Sequence, residues 1–460
     1  MTARLIRIDW PDFGAPGLPP APDLAEMDLR LGAIRTAMDA HGLDRLVIYG
    51  DREHAANLEW ATGFDPRFEE ALLIVGPGEA LLLAGNECLP YAQVSPLVAA
   101  GQVAVGHCAS LSLPSQPRGG RRLSDWLADR IPAGARVGAA GWKWFGPEEA
   151  EDAEGALDIP AYLADPLRAR AGRVINATPL FQCPATGLRS RVDVAEIARL
   201  EFANHMAATA LKRMVFALRE GMTDFEAVAA ARIGGLPLGC HPTFATGARA
   251  AQGLSGPTGE VLAAGNPLSF NICHWRANIC RAGWLARGAD DLPEAARDYL
   301  DAFAGPYLAA LSGWAGLMRP GVTGGAVWDA MRKALPLERF NVTLNPGHLI
   351  GVEEWMSSPV FEGSEMPLAS GMAMQMDVIP AHPAYGSTRM EDGYVIADAD
   401  LRADLARAFP VVAARIAKRQ HFMRSVIGMD VPETLLPLAD TCGIIAPWLL
   451  DPAQVLTLRG

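Results

Sequence analysis

Five positions between Gly265 and Glu391 carry the chemistry open to this chain: Asn271, Ala282, His348, Asp377 and Glu391. Two of the five cannot supply a strong ligand, because Asn271 is a neutral amide and Ala282 has no polar atom. His348, Asp377 and Glu391 remain. One imidazole and two carboxylates suit proton transfer, and two neighbouring acids can split the roles of donor and acceptor. The same three side chains suit one weakly held divalent cation, since carboxylates and imidazole bind Mn, Fe, Co or Zn. Cys273 and Cys280 each lie two residues from Asn271 and Ala282. Strand alternation puts them on the same face, as a thiol-rich pocket or as inert packing. His274 points away from that face. His241 opens the strand leading to Thr246, and His382 falls in a loop at the rim.

These residues need a curved sheet and helices to back it. Helical spacing of apolar residues predicts helices over 27–41, 148–154, 193–219, 293–317, 325–334 and 401–424, with another opening at Thr223. Alternating or continuous apolar runs predict strands at 43–50, 71–75, 80–83, 136–140, 241–246, 268–273, 278–285, 348–353, 373–379 and 393–397. Residues 1–26 are rich in Pro and Gly and read as an irregular arm. An α/β domain over 27–180 is expected to precede a second domain over 187–426, with 427–460 as a tail on its surface. Two passes of helix, helix and strand in the second half hint at an internal duplication. Segregated helices and strands make the class α+β.

Composition narrows the partners. The 460 residues carry a formal net charge of -12, which argues against nucleic acid. Seven cysteines without a CxxC pair suit a reducing compartment, and no apolar run reaches the length of a membrane span. A cytoplasmic protein with a small-molecule substrate is the expectation.

Five stretches in order resemble the creatinase/prolidase/methionine-aminopeptidase superfamily, peptidase family M24, with its pita-bread fold. Arg219-Glu220-Gly221-Met222-Thr223 and Arg319-Pro320-Gly321-Val322-Thr323 resemble its paired turns. Pro346 to Gly351, Leu368 to Asp377 and Arg389-Met390-Glu391-Asp392 resemble its three ligand-bearing strands. Gly42-Leu43-Asp44 and Ala61 to Phe64 resemble the creatinase-type N-terminal domain. The resemblance implies two metals on two Asp, one His and two Glu. It places those ligands at Asn271, Ala282, His348, Asp377 and Glu391. Its helper histidines fall on Leu254 and Trp355. Metal-free creatinases carry Asn and Ala at the first two places, so the resemblance implies a creatinase-like hydrolase of a C–N bond in a small nitrogenous compound. His348, Asp377 and Glu391 would be catalytic, and Asn271, Cys273, His241, Trp355 and Arg389 would line the substrate. No tight metal centre or other cofactor is expected. The alternatives are an Xaa-Pro dipeptidase-like enzyme with one metal on His348, Asp377 and Glu391, and a non-catalytic binding protein. Creatinase-like relatives further imply a homodimer, with Arg67 and Glu69 reaching a neighbouring subunit's pocket.

Overall fold

The computed structural model describes residues 3–251 and 253–459. The chain forms two compact units, residues 20–190, and residues 1–19 together with 191–460. The first strand, β1 (Arg4–Arg7), belongs to the second of these units.

The unit 20–190 is built on a six-stranded sheet in the order β5-β4-β3-β2-β6-β7. Its strands are β2 (Arg45–Gly50), β3 (Ala71–Val75), β4 (Ala80–Ala84), β5 (Ala104–His107), β6 (Arg136–Ala140) and β7 (Arg173–Asn176). β3 and β4 are wholly buried apolar runs, as expected of strands covered on both faces. Two hydrophobic clusters flank the sheet, one holding Met27, Leu31, Ile34 and Met38 of the helix Leu24–Ala40. That helix begins where Asp23 accepts a hydrogen bond from Glu26 N at 2.9 Å, a side-chain cap. Glu69 is buried here, its carboxylate accepting from Cys88 N at 2.8 Å. It is spent inside its own unit, contrary to the expectation that it reaches a neighbour. Arg67 is exposed and donates to the Tyr91 hydroxyl at 3.1 Å.

The second unit holds two four-stranded sheets. One runs β15-β10-β9-β8, with β8 (Phe244–Thr246), β9 (Pro267–His274), β10 (Ala277–Trp284) and β15 (Arg389–Glu391). The other runs β11-β12-β16-β17, with β11 (His348–Leu349), β12 (Ala373–Gln375), β16 (Gly393–Ile396) and β17 (Leu435–Pro437). A hairpin of β13 (Ala381–His382) and β14 (Gly386–Ser387) precedes β15. Phe270 and Ile272 of β9, Ile279 of β10 and Met390 of β15 all point into one large core with Trp314, Tyr299 and Tyr307. Strand alternation therefore turns the residues between them toward the opposite face, where the chemistry lies.

One element of the two passes, the turn between helices, repeats in its hydrogen bonds. Gly221 and Gly321 both take positive φ, +83° and +91°, as a glycine turn ending a helix requires. Gly221 N donates to Leu262 O and Gly321 N to Leu368 O. Leu262 N returns to Met222 O, and Leu368 N to Val322 O. Thr223 then caps the helix Asp224–Ala231, and Thr323 caps Gly324–Ala334. The same turn is thus made twice, 100 positions apart.

Several expected elements differ. The stretch 293–317 is regular α-helix only over Gly305–Leu317, after a wider π-helical turn at Leu300–Ala304. The stretch 401–424 is two helices, Ala399–Ala408 and Pro410–Phe422. Pro410 supplies no N–H and forces Phe409 out of helical backbone, which breaks the run. Residues 148–154 form turns. The arm is not irregular throughout, because β1 pairs antiparallel with β18 (Gln454–Thr457). The tail is not superficial either: Ile444, Ile445, Trp448 and Leu449 lie in the main core. No helix among the described residues is long and apolar enough to cross a membrane.

Candidate functional site

Register assembles the site. Cys280 faces Asn271 on one side and Glu391 on the other, so these three form one row across β9, β10 and β15. Ala282 faces Ser269 and Arg389 in the next row, and Asn278 faces Cys273 in the row beyond. His348 enters from the other sheet, opposite Gln375. Asp377 follows two residues after Gln375, beyond the end of β12, where Met376 N bonds Asp392 O and joins the sheets. Asp377 and Glu391 therefore do not face each other across paired strands. They meet at the junction of two sheets. One ligand atom from each of His348, Asp377 and Glu391 lies within 4.8 Å of the others, and all three residues are buried.

His348 Nδ1 lies 3.1 Å from the Leu349 carbonyl, which can only accept, so Nδ1 carries a proton. Its Nε2 is then left facing carboxylates, 3.3 Å from Glu354 and 3.7 Å from Asp377. That edge suits either a second proton or a cation. Burial pulls the imidazole down, but Glu354 and Asp377 outweigh it and hold it above its ordinary value. Burial pushes Asp377 up to about 6, despite His348 and Arg389 nearby. Burial, then the charges of Asp377 and Glu354, raise Glu391 well above the carboxylate range. Glu354 is raised by burial but brought below its ordinary value by His348.

Amide side chains hold the acids. Glu391 Oε1 accepts from Asn278 at 2.8 Å and from Gln375 at 3.0 Å. Asn278 also reaches Glu354 at 3.3 Å. Asn271 is fully committed. Its oxygen accepts from Thr243 N at 2.7 Å and Thr243 Oγ1 at 3.0 Å, and its nitrogen donates to Asn278 and to Cys240 Sγ. It therefore positions its neighbours, with no hydrogen-bonding capacity left for a substrate or ion. Burial raises the Cys280 thiol, while hydrogen bonding between Cys240 and Cys273 lowers the former and raises the latter.

Sequence reasoning missed Glu354, Asn278, Gln375 and Cys240. Each is a plain polar residue in a strand or loop, and only the adjacency of Glu354 to Trp355 could have drawn notice. Trp355 stacks on His348 with ring centroids 4.1 Å apart. His241 does not join the group. It is exposed, in the loop before β8, because that strand begins only at Phe244. Leu254 is also exposed. His382 stacks on Tyr385 and lines a cavity of about 690 Å³ with Trp284, Pro267 and Asn341.

The residues fit one ion and not two. His348, Asp377 and Glu391 offer three converging donors. A second ion would need ligands at 271 and 282, where one oxygen is already bonded twice and the other position is alanine.

Residues 198–398 match the model of metallopeptidase family M24. No curated protein matches the chain by sequence. Among solved structures, the Xaa-Pro dipeptidase from Bacillus anthracis is 14% identical with a TM-score of 0.61, over 81% of this chain and 96% of that one. Dipeptidase PepE from Mycobacterium ulcerans is 21% identical with a TM-score of 0.60, over 81% and 94%. The N-terminal domain of FACT complex subunit SPT16 from Cicer arietinum is 13% identical with a TM-score of 0.57, over 82% and 95%. At such identities the likeness speaks for the fold, a creatinase-like N-terminal α/β domain followed by a pita-bread domain. The turns, strands and residue order thus make residues 198–398 similar to metallopeptidase family M24, consistent with the creatinase/prolidase/methionine-aminopeptidase superfamily.

Proposed function

We propose that the chain is a hydrolase of a C–N bond in a small nitrogenous compound, working without a tight binuclear metal centre. The observation that supports this reading is selective loss. Positions 271 and 282 have no free ligand, while His348, Asp377 and Glu391 stay buried and convergent. In this reading His348, backed by Asp377 and Glu354, takes a proton from the attacking water. The water oxygen bonds the substrate carbon, the C–N bond breaks, and Glu391 gives a proton to the leaving nitrogen. Trp355 shields the imidazole from solvent.

A one-metal Xaa-Pro dipeptidase is the second reading, favoured by the convergence of three donors within 4.8 Å. A bound divalent ion would sit on His348, Asp377 and Glu391 and polarise a carbonyl. Turnover of guanidino compounds, cyclic amidines and Xaa-Pro dipeptides, each with chelator and with added Mn or Zn, separates the two. Turnover that survives chelation supports the first reading. Turnover that needs metal replaces it with the second. No turnover of any compound favours a non-catalytic binding protein.

A further inference from the structure

Arg389 is the exception among buried cations in its unit. Arg199, Arg281, Arg415 and Arg419 are all buried, and each has a carboxylate within 3.0 Å: Glu196, Asp392, Glu201 and Glu201 again. Arg389 is just as buried, 5% exposed, yet no carboxylate lies within 4.0 Å of it among the described residues. Its partners are neutral. NH1 donates to Ser269 Oγ at 3.0 Å, NH2 reaches the Ala251 carbonyl only at 3.5 Å, and Nε has no partner. A buried guanidinium with no carboxylate in contact is costly, so its retention calls for an anion.

Its place in the sheet says where that anion comes from. Arg389 faces Ala282 directly across β10, the position where the family resemblance expects an acid. Alanine leaves room and removes the counter-charge. Ser269 completes the same row, and its own hydroxyl hydrogen has no acceptor among the described residues. The backbone at Gly253 packs so close that a Cβ there would run into the guanidinium, which holds the fork in place. The row lies two residues before Glu391 on the same face of β15, about 7 Å along the strand.

We propose that Arg389 and Ser269 are the anchor for a carboxylate carried by the substrate. A planar fork with Nε free is matched by a carboxylate in two-point contact, with Ser269 as a further donor. The proposal rests on the C–N hydrolase reading and narrows it: the substrate is a small carboxylate-bearing amide or amidine, short enough to span one row of the sheet.

Calorimetric binding to the full chain tests it with matched pairs. The probes are glycyl-L-proline against glycyl-L-prolinamide, and creatine against its amide. At least one acid is expected to bind about tenfold or more tightly than its amide, the scale of a charge-assisted fork. Arg389→Gln should erase that preference, Ser269→Ala should reduce it about threefold, and Arg389→Lys should restore only part of it. Circular dichroism melts check folding, and should Arg389→Gln not fold, the lysine and Ser269→Ala variants decide. Equal binding of acid and amide, a preference that survives Arg389→Gln, or no binding by any acid overturns the assignment. Hydrolysis measured in parallel keeps the two ideas apart. Cleavage without acid preference sinks the anchor and leaves the hydrolase. Acid-selective binding without cleavage leaves the anchor and sinks the hydrolase.

Discussion

Glu391 is held by two amides and crowded by two other acids, so its replacement by the isosteric amide is the sharpest single test. Glu391→Gln is expected to fold and to lose about 10²-fold or more in rate, the usual cost of removing a general acid or base. Full activity in that variant would end the acid-pair mechanism. Cys273 gives the contrast. It is buried, with its thiol raised by Cys240 and burial, so Cys273→Ala should lower stability by about 1 kcal/mol and leave the rate within a few-fold. A large rate loss there would transfer the mechanism to the thiols. Protein purified without added metal should hold well under one divalent ion per chain, because charge at 271 and 282 is missing. Elemental analysis finding two ions would contradict this directly. At this scale the sequence placed His348, Asp377 and Glu391 in the right order, because each sits in a short motif. It could not show that Asn271 is saturated, since Thr243 and Cys240 reach it from 28 and 31 residues away, or that the loop after His348 turns Glu354 back onto the imidazole.

Helices are joined across the second unit by a buried charge network. Arg415 of the helix Pro410–Phe422 pairs with Glu201 of the helix Val194–Ala217 at 2.6 Å. Arg419 meets both Glu201 and Asp440 at 2.7 Å, and His205 lies 3.1 Å from Asp440. Burial pushes the Asp440 carboxyl up, but His205 and Arg419 bring it below its ordinary value. A folded pKa below the unfolded one means that the group stabilises the fold above the unfolded pKa. That stability is lost as pH falls through the folded value. Asp440→Asn should therefore cost about 3 kcal/mol at neutral pH, the scale of breaking a buried pair. The gap from wild type should begin to narrow below about pH 4, where the unfolded carboxyl titrates, and close as pH falls past the folded value. Urea denaturation at both pH values measures it, and a gap that persists in acid would assign the loss to packing. Caps such as Asp193 and Thr223 were legible because donor and acceptor lie three residues apart. The break at Phe409 was equally local, though a continuous apolar pattern concealed it.

For the whole molecule we propose a homodimer, as creatinase-like chains imply. Trp142, Trp144 and Phe68 leave apolar surface exposed on the unit 20–190, which a partner would cover. Light scattering at micromolar concentration should return twice the chain mass, and a monomer would refute the proposal. The order of motifs, the α+β class, the two glycine turns and the His–Asp–Glu set are written in the sequence itself, because each depends on residues a few positions apart. The tertiary structure alone decided the rest. It pairs residues 4–7 with 454–457 and sinks Trp448 into the core. It also sets Ala282 across from Arg389, leaving a buried cation without an acid. Such facts rest on register and on chain return over hundreds of residues, and local spacing carries no information about either.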